Sequence, residues 1–492
     1  MTSSVMINRL DTGVPGLDEV LGGGLPEYSF VLIAGEPGCG KTTLAHQIMF
    51  AQASAERPAL YFTVLGESAL KMMRYQQQFD FYREEAIGKS VHFLNLSDEA
   101  QAGNLDQVLR RIEVEVERHG PSLVFVDSFR SVVLSSDDGR HSHNNLHQFV
   151  QQLGMLMTSW QATTFLVGEY YSDMDSNPVF TVADGVIWLR QSIERNSMVR
   201  KLQIKKMRGQ PLLPGLHPYR IGREGIEVFA PAPLRTPVDP SRSGHYSGRA
   251  MTGIPRLDEM LGGGIPRGHS LLVAGPSGSG KSILAAAFLA EGVRAGEKGV
   301  MVTFEQRPNR LVNPELVELI ESGQVALVDS GAPDLSLEEV VRRLLDECER
   351  LQASRVVMDS LSGFELALAP TFHAHFRESL LRMIRVLSSE GITVVMTSEL
   401  EDRYTDLRFS PYGTAFLTDA IIVQRYIEVD SRLRRVIAVV KVRSSHHSDE
   451  LREYTITDKG IEIGCVLGDQ EGLLGGRPTR KRKRSEDIAE AE

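Results

Sequence analysis

The sequence predicts two tandem copies of a three-layer α/β domain, each a mostly parallel sheet flanked by helices. Residues 12–45, TGVPGLDEVLGGGLPEYSFVLIAGEPGCGKTTLA, align without a gap to residues 252–285, TGIPRLDEMLGGGIPRGHSLLVAGPSGSGKSILA, with 19 of 34 positions identical. Ordered echoes follow, LVFVDSF (123–129) with RVVMDSL (355–361) and KKMRG (205–209) with VKVRS (440–444). A period this long means duplicated domains rather than a solenoid of short units. The second observation is the alternation inside each copy. Apolar runs such as SFVLIAG, ALYFTV and SLVFVD are separated by helical patterns such as TTLAHQIMFAQASA, and HSLLVAG, GVMVTF and RVVMD repeat the order. Strands without polar alternation are buried on both faces, and intervening helices imply right-handed parallel crossovers.

The expected organisation is a first domain at 1–230, a linker at 231–249, a second domain at 250–465 and a flexible charged tail at 466–492. The linker reading rests on APAPLRTPVDPSRSGHYSGR (230–249), which has no regular periodicity. The tail carries KRKR (481–484) followed by an acidic run, a composition that stays solvated. The amino terminus offers no apolar run for a signal peptide, and no stretch is long enough for a membrane helix, so a cytoplasmic location without membrane contact is expected. Three cysteines, Cys39, Cys348 and Cys465, are too few and scattered for a disulfide framework. A net charge of −10 argues against a nucleic-acid coat.

GEPGCGKT (35–42) and GPSGSGKS (275–282) both fit G-x-x-x-x-G-K-[ST] between an apolar strand and a helix, the context a P-loop requires. Gly35, Gly38, Gly40, Lys41, Thr42 and Thr43, with Gly275, Ser277, Gly278, Ser279, Gly280, Lys281 and Ser282, are therefore the candidate ATP-binding residues. Backbone N–H groups would cradle phosphate and the lysines would reach the β- and γ-phosphates. Thr42 and Asp127 in the first copy, and Ser282 and Asp359 in the second, are the candidate Mg2+ ligands, each aspartate ending an apolar strand. A strand-ending aspartate is otherwise a common turn residue.

Hydrolysis also needs a carboxylate near the attacking water. Glu305 follows the strand after the second P-loop helix, a strand expected to lie beside the P-loop, with Gln306 next to it. The first copy has Leu65 and Gly66 there, and Glu67 is its candidate base. Glu169 and Glu399, at the end of another strand in each copy, are open alternatives. Lys206/Arg208 and Lys441/Arg443 place two cations on one strand face far from the P-loop in sequence. That suits a finger reaching a neighbouring subunit's phosphates; the competing reading is a solvated basic face.

The TG(V/I)PxLDExLGGG(L/I)P leader, the P-loops, the Asp-Ser strands, the KMRG segment and the closing REYTITDKGIEI together resemble the KaiC family of circadian-clock ATPases and autokinases, within the RecA superfamily. The resemblance covers roughly residues 8–464 and implies two tandem RecA-like P-loop NTPase domains. It also implies a homohexamer of two stacked rings, slow ATP hydrolysis in the first, Ser/Thr autophosphorylation in the second, and small clock partners of the KaiB type. Two departures stand out. The family's Glu-Glu pair is Glu305-Gln306 in the second copy and absent in register from the first. Ala415 and Phe416 occupy the expected acceptor positions, with Thr414 and Thr418 nearby as displaced acceptors. The stretch GLLGGRPTR (472–480) resembles the family's C-terminal channel loop. A DNA-dependent ATPase of RecA or RadA type and a non-hydrolysing nucleotide-gated scaffold are the alternative functions. The first is disfavoured by the charge balance.

Overall fold

The computed structural model describes residues 7–64, 69–101, 105–129, 142–171, 178–194, 197–231, 248–304, 314–329, 335–368, 376–400, 417–429, 431–467, 470–471 and 479–480. The chain divides into two compact units, Met1–Pro231 and Ala232–Glu492. The residues expected to form the linker and those expected to form the tail fall mostly outside the described set.

The first unit is built on a nine-stranded sheet. Its strands are β1 (Phe30–Gly35), β2 (Ala59–Thr63), β3 (Val91–Asn95), β4 (Leu123–Asp127), β5 (Thr163–Glu169), β6 (Gly185–Glu194), β7 (Ser197–Met207), β8 (His217–Gly222) and β9 (Gly225–Val228). They lie in the order β9-β8-β7-β6-β1-β5-β4-β2-β3. The run from β6 to β3 is parallel, and β7, β8 and β9 add an antiparallel wing. Helices α1 (Lys41–Gln52), α2 (Leu105–His119) and α3 (Ser142–Ser159) are its longest. Successive residues of β1 show why the strand has no polar alternation. Val31 and Ile33 enter one apolar cluster with Leu44, Ile48 and Met49 of α1, while Phe30, Leu32 and Ala34 enter another with Val108, Ile112 and Val116 of α2. Both faces of the sheet are covered.

The second unit repeats the plan with β10 (Ser270–Gly275), β11 (Gly299–Thr303), β12 (Val325–Asp329), β13 (Arg355–Asp359), β14 (Thr393–Glu399), β15 (Ala420–Val429), β16 (Arg432–Val442), β17 (Arg452–Thr457) and β18 (Gly460–Val466). Their order is β12-β11-β13-β14-β10-β15-β16-β17-β18. Helices α4 (Lys281–Arg294), α5 (Leu337–Leu351) and α6 (Phe376–Ser389) pack on them. At the start of α5, Ser336 accepts a hydrogen bond from the Glu339 amide at 3.1 Å, as expected of a Ser-x-x-Glu cap. The buried stripe Val340, Leu344, Cys348 and Leu351 then faces the sheet.

One expectation is corrected. The strand after each P-loop helix, β2 or β11, does not lie beside the P-loop strand: β4 and β5 separate β2 from β1, and β13 and β14 separate β11 from β10. Local apolar pattern specifies that a strand exists but carries no information on how many positions its crossover spans. Among the described residues, no helix is long and apolar enough to cross a membrane.

Candidate functional site

Each P-loop runs from the end of the central strand into α1 or α4. Gly40 and Gly280 sit at φ 95° and 94° directly before these helices. A Cβ there would also come within 2.7 Å of Ile221 Cδ1 or 3.0 Å of Ile456 Cδ1, so both conformation and space demand glycine. The lysine ammonium crosses each loop in the same way: Lys41 Nζ donates to the Glu36 carbonyl at 2.7 Å and Lys281 Nζ to the Pro276 carbonyl at 2.8 Å. Burial lowers the Lys281 ammonium's pKa, opposed by the charges of Glu399 and Asp359.

Two carbonyl contacts stiffen each loop from below. Tyr219 of β8 donates to the carbonyl of Cys39 at 2.5 Å, and Tyr454 of β17 to that of Ser279 at 2.5 Å. Sequence reading missed this pair, although YRIGREGIE (219–227) and YTITDKGIE (454–462) repeat the spacing visibly. Nearer the loop's middle, Gln191 Nε2 donates to the Pro37 carbonyl at 2.8 Å and the Tyr426 hydroxyl to that of Ser277 at 3.4 Å. Beneath the loops the copies differ. Ser279 donates to Gln424 Oε1 at 3.0 Å, whereas Cys39 packs in the apolar cluster with Leu189.

Thr42 Oγ1 donates to Asp127 Oδ2 at 2.8 Å, so a hydroxyl and a carboxylate converge beside the first P-loop. That hard-oxygen pair fits a divalent cation of the Mg2+ kind. Burial raises the Asp127 carboxyl's pKa, opposed by the Tyr61 and Thr42 hydroxyls and the Lys41 charge. In the second unit Thr397 hydrogen-bonds Asp359, and Ser282 is exposed at the start of α4.

Glu169 and Glu399 lie directly opposite Gly35 and Gly275 in the sheet register, on the strand next to the P-loop strand. With Asp127 and Asp359 they are among the described carboxylates close to the phosphate cradle. Glu67, Glu305 and Gln306 lie outside the described residues, as do Thr414, Ala415 and Phe416. Thr418 is described and fully buried.

The Lys-x-Arg pairs sit at the other end of the sheet. Lys206 Nζ donates to the carbonyls of Thr181 at 3.1 Å and Ala183 at 2.5 Å, and Arg208, one residue past β7, pairs with Asp184 at 3.2 Å. Lys441 Nζ donates to the Thr418 carbonyl at 2.6 Å and Arg443 pairs with Asp419 at 3.2 Å. Matched register shifts at Val186/Ile187 and Ile421/Ile422 stand directly opposite the two lysines. Because β1 pairs Gly35 with Leu189, Arg208 beside Asp184 lies about 16 Å along β6 from its own P-loop glycine. Burial lowers the pKa of both lysines, and the neighbouring arginines reinforce the shift.

Comparison with known proteins decides the family. The KaiC ATPase family model matches residues 10–232 and again 250–466. The chain belongs to the KaiC ATPase family. It is 27% identical over 488 residues to the circadian clock oscillator protein KaiC of Picosynechococcus sp., covering 96% of this chain and 93% of that protein. It is 25% identical over 493 residues to the KaiC of Prochlorococcus marinus, covering 97% of each. The KaiC of Rippkaea orientalis is 27% identical over 488 residues, 96% and 92% covered. The two matched spans coincide with the two nine-stranded units, and the family relationship supports an ATP-binding, RecA-like ATPase in tandem form.

Proposed function

We propose that this KaiC-family protein is a homohexameric ATPase of two tiers, in which every nucleotide is shared between neighbouring subunits. The P-loop of one subunit binds ATP, and Lys206 with Arg208, or Lys441 with Arg443, reaches the γ-phosphate from the next. The observation that carries this reading is the polarity of the sheet. Each cation pair is held at the end opposite its own P-loop, too far along the strand to serve it, which supports a role at the phosphates of another copy. Thr42 with Asp127, and Ser282 with Asp359, would hold Mg2+, which when bound screens charge on the β- and γ-phosphate oxygens. Glu305 and Glu67 are the proposed bases, with Glu169 and Glu399 poised against the cradle to orient water or sense the γ-phosphate. Autophosphorylation, as proposed, uses Thr414, because Thr418 is fully buried and its carbonyl is engaged by Lys441. The output is conformational, exerted in the cytoplasm on small protein partners.

Mixing tests the shared site. Lys41→Ala and Arg208→Ala chains, each carrying Lys281→Ala to silence the second tier, are inactive alone. Reassembled together they create interfaces with an intact P-loop on one side and an intact arginine on the other, and hydrolysis returns. No recovery in mixed particles of confirmed composition, or a particle that is monomeric with full ATPase activity, refutes the reading. Particle mass with and without ATP supplies the stoichiometry.

A further inference from the structure

The two aspartates proposed to hold magnesium each accept a hydrogen bond from a hydroxyl on a neighbouring strand, but from opposite sides. In the first unit the Tyr61 hydroxyl donates to Asp127 Oδ2 at 2.7 Å. Tyr61 belongs to β2, on one flank of β4. In the second unit the donor is Thr397, which binds Asp359 from β14, on the other flank of β13. The positions are reciprocal. The residue matching Tyr61 in β11 is Met301, and the residue matching Thr397 in β5 is Val167, the direct cross-strand neighbour of Asp127. Each unit thus has one hydroxyl donor and one apolar residue at the two flanking positions, with the assignment exchanged.

We propose that Tyr61 and Thr397 are equivalent positioning residues, each orienting the metal-holding carboxylate of its own nucleotide site from whichever neighbouring strand carries the hydroxyl. The proposal rests on the reading of Asp127 and Asp359 given above. A carboxylate with one oxygen fixed by a neutral donor keeps a defined rotamer and presents its remaining lone pairs toward the P-loop hydroxyl. Tyr61 suits the task. Its ring is fully buried, held 4.5 Å from the His46 ring, 5.4 Å from Phe93 and 5.7 Å from Phe125, so its hydroxyl has a single direction.

The test is manganese binding to the full chain loaded with ATPγS, followed by electron paramagnetic resonance in a Lys281→Ala background that leaves the first site. Tyr61→Phe keeps the ring and should weaken Mn2+ about tenfold. Adding Val167→Thr to Tyr61→Phe should bring the affinity back to within about threefold of the starting protein, because the hydroxyl now arrives from β5 as it does in the second unit. An unchanged affinity in Tyr61→Phe overturns the proposal, and so does failure of Val167→Thr to restore it. Asp127→Asn separates the two levels. If it leaves Mn2+ binding untouched, the assignment of the aspartate itself falls; if it abolishes binding while Tyr61→Phe does nothing, only the positioning role falls.

Discussion

His46 makes the first unit acid-sensitive in a way that can be isolated. It lies in α1, fully buried, with its ring 4.5 Å from that of Tyr61 and 5.9 Å from that of Phe93, and neither ring nitrogen has a well-formed hydrogen bond. Burial pushes its pKa down from 6.5 to about 4, with Gln76 opposing the shift. In the unfolded chain the imidazole titrates near its ordinary value, so between these two pH values the unfolded state binds a proton that the native state does not. Stability is therefore complete above about pH 6.5 and is lost as pH falls toward 4. A span of about 2.5 pH units corresponds to about 3 kcal/mol in all, of which about 2 kcal/mol is lost by pH 5. His46→Leu removes the titrating group while filling similar space; the second unit has Ala286 at this position. Both tryptophans, Trp160 and Trp188, belong to the first unit, so tryptophan fluorescence during denaturant unfolding reports on it. The expected result is that the difference in unfolding free energy between the parent and His46→Leu shifts by about 2 kcal/mol between pH 8 and pH 5. A difference that stays constant with pH would refute the reasoning.

Other perturbations report on other parts of the molecule. Arg355 is 2% exposed, is ion-paired to Glu297, and donates to the carbonyls of Met251 at 2.8 Å and Phe288 at 2.7 Å; Arg355→Ala should cost the second unit about 3–5 kcal/mol. Circular dichroism should then show an early transition while the tryptophan signal stays in place, and a joint shift of both would contradict this. Tyr219→Phe and Tyr454→Phe each strand a P-loop carbonyl at a cost of about 1–3 kcal/mol, and should weaken binding of a fluorescent ATP analogue several-fold at one site only. Burial, with the Asp11 carboxylate second, raises the Asp18 pKa to about 7. A raised acid pKa means stability falls as pH climbs from the ordinary carboxylate range through 7, so Asp18→Asn should raise the first unit's melting temperature at pH 8.5 and change it little near pH 4. An equal change at both pH values would count against that assignment.

The duplicated P-loops were readable because backbone geometry there leaves few residue choices, so the two copies kept the same letters. The Asp-Ser strand ends were readable because both copies close an apolar run with the same two letters. Strand order was not, because β2 looks like any buried strand and nothing in ALYFTV says that its neighbour is β4 rather than β1. Glu169 and Glu399 could be listed among the acids but not ranked, since their register against Gly35 and Gly275 exists only once the sheet is assembled. Tyr61 escaped for a subtler reason. Comparing the copies position by position sets Tyr against Met and Val against Thr, two apolar-looking exchanges, and only the shared aspartate between the strands reveals that a hydroxyl was conserved in space while moving in sequence.

The exchange also constrains the order in which these copies drifted apart after duplication. A half-buried carboxylate that loses the donor on its neighbouring strand costs up to about 1–3 kcal/mol, a sizeable share of a domain's stability, whereas the two hydroxyls approach from separate strands and need not collide. On these energetics a site that exchanges one donor for the other is expected to carry both before losing either. Sequences related to this one should accordingly include copies with tyrosine and threonine together, and should lack copies with neither.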